Sequence, residues 1–549
     1  MILKKLHIIL TLIIFLISIN VIATSHVIAT STNLIEGTSI NAGDTIKLLS
    51  GQREFLLFRF IHGDSSNPVV IINEGGQVVI NAIDPGSYGI KFQTCSYVKL
   101  TGSGDTDNQY GIHIDGVSVG TGVSVDNLST NFEMERVEIN DINIAGIYVK
   151  TEPTCTLEST RENFTMYDIK IHDCYLHDIA DEGMYIGSSK YTGQDIGCGT
   201  LLPHVIDGVW VYNNIIEDTG WDGIQVSSAP SNCFIYNNII RNDSYRETTN
   251  QMSGILIGGG SDCDCYNNKI FDGKGDGIDV LGLGNHKIFN NLIVRPGMSY
   301  HPNEGSTSYS KHGIWVGSVV TNQNVEMLIY NNTIISPKTY GIKLSNVSIS
   351  SYKIYNNIIS EPSSYDLLEG NSYLNINILI NYQLANNLLS NQEEDIKFIN
   401  TSNEDYDIDA FSPAVNSGLD LSSIGLNFDI ENKTRPFGGA FDIGAYESHD
   451  SRIGIEDDDF LIRKKIKLFD VSPNPISESA IIRYELKEPI FIKLSITDIT
   501  GRTIRVLIEE MKYAKLQTIE IHKNSLPSGI YFLTLESKFG VFSKKIIFI

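Results

Sequence analysis

The stretch Tyr212-Asn213-Asn214-Ile215-Ile216 decides the fold, because its pattern recurs along the middle of the chain. Seven Asn-Asn pairs follow one another at spacings of 24, 30, 23, 41, 25 and 30 residues. The pairs begin at Asn213, Asn237, Asn267, Asn290, Asn331, Asn356 and Asn386. A second short strand, Gly-Ile-x-Val, lies between the pairs, as in Gly223-Ile224-Gln225-Val226. A short repeat that accepts insertions is typical of a solenoid, and strands separated by Gly and Asn corners predict an all-β fold, a right-handed parallel β-helix.

Stacked side chains explain why Asn and aromatic residues recur. Asn tolerates the left-handed conformation that a tight corner needs, and Asn side chains stacked at the ~4.8 Å strand spacing can form a ladder of amide hydrogen bonds. The aromatic residue before each pair predicts a second stack. We interpret both columns as structural rather than catalytic. The ring positions are Tyr212, Tyr236, Tyr266, Phe289, Tyr330 and Tyr355.

The first 30 residues differ from the repeats. Lys4 and Lys5 precede an apolar run that continues to Ile22, and small residues follow it. This order predicts an export signal over residues 1–30, cleaved within 23–31. We therefore expect the mature protein to leave the cytoplasm.

The remainder of the chain changes character twice. Residues 31–400 carry the coil pattern, and Tyr88-Gly89-Ile90 and Tyr110-Gly111-Ile112 match its Gly-Ile-x-Val strand. Residues 401–447 lack the repeat, and we predict that they cap the solenoid, whose open apolar end needs a cover. A charged linker at 448–466 leads to a final segment.

The final segment, residues 467–549, has short alternating strands with turn signals, which predict a small β-sandwich. Its landmarks include Val471-Ser472-Pro473-Asn474-Pro475, Asp498-Ile499-Thr500-Gly501-Arg502 and Leu526-Pro527-Ser528-Gly529. In these motifs and their order the segment resembles the C-terminal sorting domain of the bacterial type IX secretion system. The resemblance implies the type IX secretion machinery as a partner, and release from the cell or attachment to its surface.

The charge of the chain limits its partners. Acidic residues outnumber basic residues by 65 to 41, for a net charge of −24. Such a chain does not suit nucleic acid, whose phosphates need a basic surface. Abundant Asp outside the cell suits calcium. We expect a monomer.

Seven cysteines in an exported chain allow disulfides. Cys155 and Cys198 lie in two insertions that leave the same corner of consecutive coils, so we predict that they pair. Cys233 and Cys263 hold equivalent positions, three residues before the repeated Tyr. For these two we favour buried thiols over a bridge, because small apolar side chains suit the interior.

Aligning the Gly-Ile-x-Val strands stacks the outward x positions into one strip. Aromatic and polar side chains on such a strip bind sugars by ring stacking and hydrogen bonds. Insertions at 151–168 and 187–206 follow this strand, and insertions at 242–252 and 295–311 precede it, so they would form two walls with the strip as the floor. The substrate-binding candidates are Tyr148, Tyr185, Trp221, Gln225, Asp279 and Trp315.

Two acidic corners align at an offset of 40 residues, His177–Glu182 and Glu217–Asp222. Stacked like charges need a cation, a raised pKa or a basic neighbour. Three interpretations stay open: a calcium site, a carboxylate pair for glycoside hydrolysis, or a solvated corner without a role. The calcium ligands would be Asp178, Glu182, Asp218 and Asp222.

A lyase needs different groups, because it removes a proton beside a uronate carboxylate. His177, Arg241 and Lys274 are basic candidates near the same corner. Arg241 falls one coil beyond Glu217 and could also offset the stacked acids. The catalytic candidates are therefore His177, Glu182, Asp222, Arg241 and Lys274.

The repeats from about residue 35 to residue 447 resemble those of the pectate-lyase-like superfamily. The resemblance implies a polysaccharide lyase or a glycoside hydrolase acting on an extracellular polysaccharide. The motif sets of polygalacturonases, and of the alginate and chondroitin lyases of this fold, do not occur in the sequence. Lyase and hydrolase therefore both stay open, and the alternative is a non-catalytic adhesin or carbohydrate-binding protein.

Overall fold

The computed structural model describes residues 23–82, 88–301, 310–362, 373–449 and 466–549, without 470, 488, 499–501, 525 and 538–539. The chain forms two compact units, Met1–Asp450 and Ser451–Ile549. Most of the predicted export signal lies outside the described residues.

The first unit is a parallel β-helix in which three columns of strands stack coil upon coil. The first and second columns form one 23-stranded sheet, because Thr45–Arg53 and Val69–Ala82 run through both, and the third column is a separate 12-stranded sheet. The strands of the first column are Ser25–Ile28, Thr45–Arg53, Val69–Ala82, Ser96–Thr101, Thr130–Glu135, Thr165–His172, Val205–Tyr212, Ser231–Tyr236, Cys263–Tyr266, Lys287–Phe289, Glu326–Tyr330, Ser351–Tyr355 and Tyr382–Ala385.

The second column carries the residues that follow each Asn pair, and the third column carries the Gly-Ile-x-Val segments. The further strands of the second column are Ile112–Val117, Val137–Ile142, Tyr175–Ile179, Ile215–Thr219, Ile239–Arg241, Lys269–Phe271, Leu292–Val294, Thr333–Ile335, Ile358–Ser360 and Leu388–Ser390. The third column consists of Leu34–Glu36, Leu56–Arg59, Tyr88–Gln93, Thr121–Asp126, Ile147–Val149, Met184–Ile186, Ile224–Val226, Ser253–Ile257, Asp276–Val280, Ile314–Val316, Ile342–Leu344 and Leu374–Ile376.

The two Asn residues of each pair have different roles. The first adopts a left-handed conformation, with φ between 51° and 57° at all seven pairs. In the first six pairs the second Asn is buried, and its side-chain amide donates to the side-chain oxygen of the next coil's Asn, as from Asn238 to Asn268 at 3.0 Å. Stacked rings, such as Tyr236 and Tyr266 with centroids 4.9 Å apart, run beside this ladder. Both predicted structural columns are confirmed.

The register of the early coils differs from the sequence alignment. Tyr88–Gln93 lies in the third column as predicted, but Ile112–Val117 pairs with Val137–Ile142 in the second column. The third-column strand of that coil is Thr121–Asp126 instead. The first coil also begins earlier than residue 31, because Ser25–Ile28 pairs with the strand at 45–48. Cleavage at the start of the predicted window, 23–31, would preserve that strand, and the cleavage site stays a prediction.

Two disulfides are present. Cys155 pairs with Cys198 as predicted. Cys233 and Cys263 also form a bridge, so the preference for buried thiols at this pair is wrong. Direct register on neighbouring strands brings their Cα atoms to 4.4 Å, within bridging distance. The free cysteines of the described residues, Cys95, Cys174 and Cys265, are buried.

Residues 391–449, here called the strap, lie along the side of the solenoid rather than over its end. Tyr406 and Tyr446 of the strap pack against Phe271 and Leu292, which point outward from the second column. Gly444 N–H donates to a coil carbonyl oxygen at 2.7 Å. The predicted cap therefore covers apolar side chains on coil exteriors, which would otherwise face water. The strap includes the antiparallel strands Phe398–Asn400 and Asp405–Ile408.

The second unit consists of two antiparallel sheets on one apolar core, as predicted for its sequence. The three-stranded sheet contains Ile466–Leu468, Ser479–Leu486 and Lys515–His522. The four-stranded sheet contains Thr503–Lys512, Ile490–Thr497, Gly529–Ser537 and Gly540–Phe548.

Candidate active site

The outward x positions of the third column form one continuous strip, in the register that the sequence predicts. Five rung-to-rung steps separate Tyr148 from Trp315, which gives a strip of about 24 Å at ~4.8 Å per step. Such a length accommodates several sugar units. The strip runs through Tyr148, Tyr185, Gln225, Leu256, Asp279, Trp315 and Lys343.

The first wall of the strip is built by the two insertions that follow third-column strands. The Cys155–Cys198 disulfide joins them. Arg161 also joins them, because its guanidinium donates to Tyr191 O at 2.6 Å and lies 4.0 Å from that ring's centroid. Tyr191 packs on Gly260, where a Cβ would overlap the ring. The wall is therefore anchored across the coils beside the strip.

A lysine covers the aromatic end of the strip. Lys150 Nζ lies 4.2 Å from the centroid of the Tyr185 ring and 5.1 Å from that of Tyr148. Glu152 holds this lysine at 2.7 Å and accepts a hydrogen bond from Tyr148 Oη at 2.9 Å. The sequence gives no signal for this arrangement, because Lys150 and Glu152 lie just beyond the repeated strand.

The second wall comes from the insertion that precedes Ser253–Ile257. Arg246 bonds Asp181 at 2.9 Å, and Glu247 bonds Lys274 at 2.6 Å. The predicted catalytic base Lys274 thus has a carboxylate partner that fastens this wall to the next coil. Trp221 lies at the same corner and is half-buried, and its backbone N–H donates to Asp181 O at 3.0 Å.

Five buried carboxyl groups lie beside the strip, and we call them the acid cluster. Each is at most 8% exposed. Ser253 Oγ donates to Asp222 Oδ1 at 2.6 Å, and Ser244 Oγ donates to Asp243 Oδ2 at 2.7 Å. The other oxygens of Asp222 and Asp243, and Oδ1 of Asp279, have no hydrogen-bond partner among the described residues. The members are Glu182, Asp222, Asp243, Asp276 and Asp279.

Burial raises the pKa of most of this cluster. It raises the pKa of Glu182 to about 7, and the charge of Asp181 adds to that effect. Burial and the charge of Glu182 raise the pKa of Asp222 to about 8. The pKa of Asp243 rises to about 7, again chiefly through burial. The pKa of Asp279 lies well above its ordinary value because of burial and the charge of Asp276.

Asp276 has a different environment, because donors surround its carboxylate. Lys311 Nζ lies 3.1 Å from Oδ2, and the His312 backbone N–H donates to Oδ1 at 2.5 Å. Burial lowers the pKa of Lys311, but the charges of Asp276 and Asp279 outweigh this effect and raise it. These donors stabilise negative charge on Asp276, whereas burial and that charge favour the protonated form of Asp279.

Residues 121–319 match the family model described as a right handed beta helix region, and residues 470–549 match that of a secretion system C-terminal sorting domain. The chain is a right-handed parallel β-helix protein with a type IX secretion sorting domain. This domain directs the β-helix protein to the cell surface or the extracellular space. Among the residues with described structure, no helix is long and apolar enough to span a membrane.

No curated protein matches the sequence of the β-helix protein. Among solved structures, a GH136 lacto-N-biosidase from Eubacterium ramulus is 13% identical with a TM-score of 0.42, over 64% of this chain and 63% of that one. The β-helix protein thus spans less than two thirds of that enzyme. Pectate lyase Pel9A is 13% identical with a TM-score of 0.37, over 77% and 96% of the two chains. An alginate lyase from Paenibacillus sp. str. FPU-7 is 15% identical with a TM-score of 0.36, over 67% and 99%. None of these likenesses identifies the reaction of the β-helix protein.

The predicted acidic corner is divided between two faces. Glu182 and Asp222 belong to the acid cluster, and the register places their coils next to each other as predicted. Asp178 and Asp218 are exposed at left-handed positions on the other side of the corner. The four predicted calcium ligands therefore do not form one group. His177 lies on the same side as Asp178 and Asp218, and its ring stacks on that of Tyr175 with centroids 4.4 Å apart.

Arg241 also lies away from the strip. Its guanidinium makes two hydrogen bonds to Glu404 of the strap, at 2.9 and 2.6 Å. It lies 4.3 Å from the Phe271 ring centroid. The structure places this predicted catalytic residue in the attachment of the strap.

The described residues contain one group of three His, Cys, Asp or Glu side chains with ligand atoms within 4.8 Å of one another: Glu133, Glu135 and His172. Lys99 Nζ already lies 2.6 Å from Glu133 and 3.1 Å from Glu135. Burial lowers the pKa of His172, but bonds to Asp173 and Glu133 outweigh it and raise the pKa to about 9. A metal ion would have to displace both the ammonium and the imidazole proton.

Proposed function

We propose that the β-helix protein is a glycoside hydrolase that acts on an uncharged extracellular polysaccharide, bound along the third-column strip. The observation that carries this proposal is the pair Asp276 and Asp279 on one strand. Asp279 favours the protonated form, while Lys311 and a backbone N–H stabilise negative charge on Asp276. Glycoside hydrolysis needs one carboxylic acid and one carboxylate.

The two groups take separate roles. Asp279 donates its proton to the glycosidic oxygen as the bond to the anomeric carbon breaks. The Asp276 carboxylate stabilises the developing positive charge, and it accepts a proton from the water molecule that attacks the anomeric carbon. Lys311 positions Asp276, and burial together with the charge of Asp276 keeps the proton on Asp279.

The strip supplies the sugar-binding surface around this pair. Trp315 and Leu256 occupy the rungs on either side of Asp279. The indole of Trp315 is half-buried, and its Nε1–H donates to Ser345 Oγ at 3.3 Å, which fixes the ring. Sugar rings stack on such faces, so the scissile bond would lie next to an aromatic platform. Gln225, Tyr185 and Tyr148 extend the same surface.

The charges of the cleft favour an uncharged substrate. Lys150, Arg246, Lys274 and Lys311 each have a carboxylate partner within 3.1 Å. A uronate bound at the acid cluster would bring negative charge to a place where these four cations are already paired with carboxylates. The hydrolase is therefore favoured over the lyase that the sequence left open.

One observation supports a lyase as the second candidate. Lys343, beside Trp315 on the strip, has no carboxylate within 4.0 Å in the described part of the chain, and its Nζ lies 3.3 Å from His312 Nε2. Burial lowers the pKa of His312 to about 4, so the ring is neutral. A cation next to a neutral imidazole could serve proton abstraction from a uronate.

Calcium is the alternative to protons in the acid cluster. A cation could supply a partner for the free oxygens of Asp222 and Asp279, whereas the raised pKa values of this cluster favour protons. We propose the protonated form. If it is correct, removing calcium with a chelator leaves both hydrolysis and the melting temperature unchanged.

The test is to incubate the purified full chain with a panel of neutral and uronate polysaccharides, recording new reducing ends and absorbance at 235 nm. New reducing ends from a neutral glycan without 235 nm absorbance support the hydrolase. Absorbance at 235 nm with a uronate would replace it by the lyase. If no glycan gives either signal but a glycan still binds, the result would support the non-catalytic carbohydrate-binding protein instead.

A further inference from the structure

The last coil of the solenoid leaves its interior open. Tyr382, Leu384 and Leu389 align with Tyr352, Ile354 and Ile359, which are fully buried inside the preceding coil. In the last coil these inward positions are 45%, 45% and 39% exposed. The corner that follows the third-column strand adds Ile378 at 95% and Leu379 at 76% exposure.

The edges of this coil are unpaired as well. Within the described structure, Leu374–Ile376, Tyr382–Ala385 and Leu388–Ser390 each pair with one strand of the preceding coil and with none beyond. The Asn ladder also ends here, because Asn387 accepts from Asn357 at 3.0 Å and, among the described residues, no later Asn accepts from Asn387. An unpaired parallel edge is a template for another chain.

The strap does not cover this end. It begins directly after the last coil and runs back along the side, where Ile396 and Ile408 pack against Ile358. We call the exposed surface of residues 374–390 the terminal face.

The terminal face lacks the charges that normally protect an edge. Residues 371–392 contain no Asp, Glu, Lys, Arg or His, although the whole chain is 19% charged. Edge strands of soluble monomers commonly carry Lys or Pro that prevent edge-to-edge pairing. The face instead offers apolar side chains and backbone groups, with Asn and Gln amides at its rim.

We infer that the terminal face binds a second copy of this chain, end to end across a two-fold axis. Two acidic chains of net charge −24 repel each other over most of their surface, and this uncharged face is where two copies can meet without that repulsion. The same apolar residues face each other across the axis, as an isologous interface requires. This proposal differs from the monomer expected from the sequence and does not depend on the reaction that the cleft performs.

The test compares the mass in solution of the full chain with that of two variants, by size-exclusion chromatography with light scattering over a range of concentrations. Ile378→Lys/Leu379→Lys places two charges on the terminal face at side chains that are mostly exposed, so the coil should still form. Leu157→Lys is the matched control, because Leu157 is 45% exposed in a distant insertion. Circular dichroism and the melting temperature verify that each variant is folded.

We expect twice the chain mass for the unchanged protein and for Leu157→Lys, and a single chain mass for the double variant. A monomer at all concentrations for the unchanged protein would overturn the inference, including the case in which another part of the chain covers the face. A dimer that persists in the folded double variant would also overturn it, because the contact would then lie elsewhere.

Discussion

Asp222 precedes a Gly-Ile-x-Val strand by one residue, and its carboxyl group is fully buried. Repeat alignment places it correctly over Glu182. Its carboxyl group accepts a hydrogen bond from Ser253, and the charges of Glu182 and Asp243 raise its pKa in addition to burial. The raised pKa of this group is therefore a property of the folded site.

Asp222→Asn should reduce the loss of stability with rising pH. The pKa of Asp222 is about 8 in the folded protein, above its ordinary value of 3.8. Between these two pKa values the native state keeps a proton on Asp222 that the unfolded state releases. The stabilisation that this proton gives is fully present below about pH 4 and is lost as the pH rises to about 8. Urea unfolding at pH 5.5 and 8.5 measures the effect. Between these two pH values the free energy of unfolding should fall by at least about 1 kcal/mol more for the unchanged protein than for the variant. Equal decreases would contradict the raised pKa of Asp222.

Arg241→Gln should affect stability and leave catalysis intact. Arg241 bonds Glu404 twice and packs on Phe271, and an ion pair of this exposure contributes about 0.5–1 kcal/mol. Thermal unfolding and glycan hydrolysis are measured on the same preparation. If activity falls more than about tenfold while the melting temperature is normal, Arg241 would have the catalytic role that the sequence predicts.

The Asn ladder is an element that local sequence predicts well. Asn268 accepts from Asn238 and donates to Asn291, both at 3.0 Å, in the buried corner. Asn268→Ala leaves buried partners on both sides unmatched, so we expect a loss of about 3 kcal/mol in the free energy of unfolding. The control is Asn267→Gly, which keeps the left-handed φ of 56° accessible and should cost less than about 1 kcal/mol. Equal losses in the two variants would contradict the ladder.

The strap is an element whose position the sequence does not predict, because a cap over the end of the solenoid was expected and the strap packs on its side. Tyr446 is 3% exposed against outward side chains of the second column, so Tyr446→Ala should cost about 3–5 kcal/mol. Phe428→Ala is the control, because Phe428 is 49% exposed on the same strap, and it should cost less than about 1 kcal/mol. Urea unfolding compares the two. A cost below about 1 kcal/mol at Tyr446 would contradict the packing of the strap on the side.

The difference between these elements has a physical reason. Because the coils repeat, an Asn, Gly or inward Ile occurs at the same position of each coil for the same structural reason. Alignment of the repeats therefore predicts the register of the third column to within one residue from Tyr148 to Lys343. The strap does not repeat, and its partners Phe271 and Leu292 are distant in sequence. The one sequence feature that pointed to this packing is that Phe271 and Leu292 occupy outward positions. Apolar side chains at outward positions indicate that another segment of the chain packs over them.

At the scale of the whole molecule, the sequence predicts where the cleft lies better than which groups work in it. The strip, the two walls and the acidic character of the corner follow from alignment of the coils. Asp243 does not, because it lies in an insertion without a repeat partner. The cations predicted for catalysis, Arg241 and Lys274, are ion-paired in the structure. The acidic residues of the cleft thus form a buried cluster in which burial favours the protonated form of most members.

Asp279→Asn gives the sharpest measurement of the proposed chemistry. The variant keeps the shape of the strip but removes the proton donor, so kcat for a neutral glycan should fall about 10²- to 10⁴-fold while glycan binding and the melting temperature stay close to those of the unchanged protein. Asp264→Asn is the matched control, because Asp264 is ion-paired with Lys287 in the first column, away from the cleft, and its kcat should stay within about twofold. An Asp279→Asn protein that hydrolyses the same glycan at more than about half the original rate would contradict catalysis at the acid cluster.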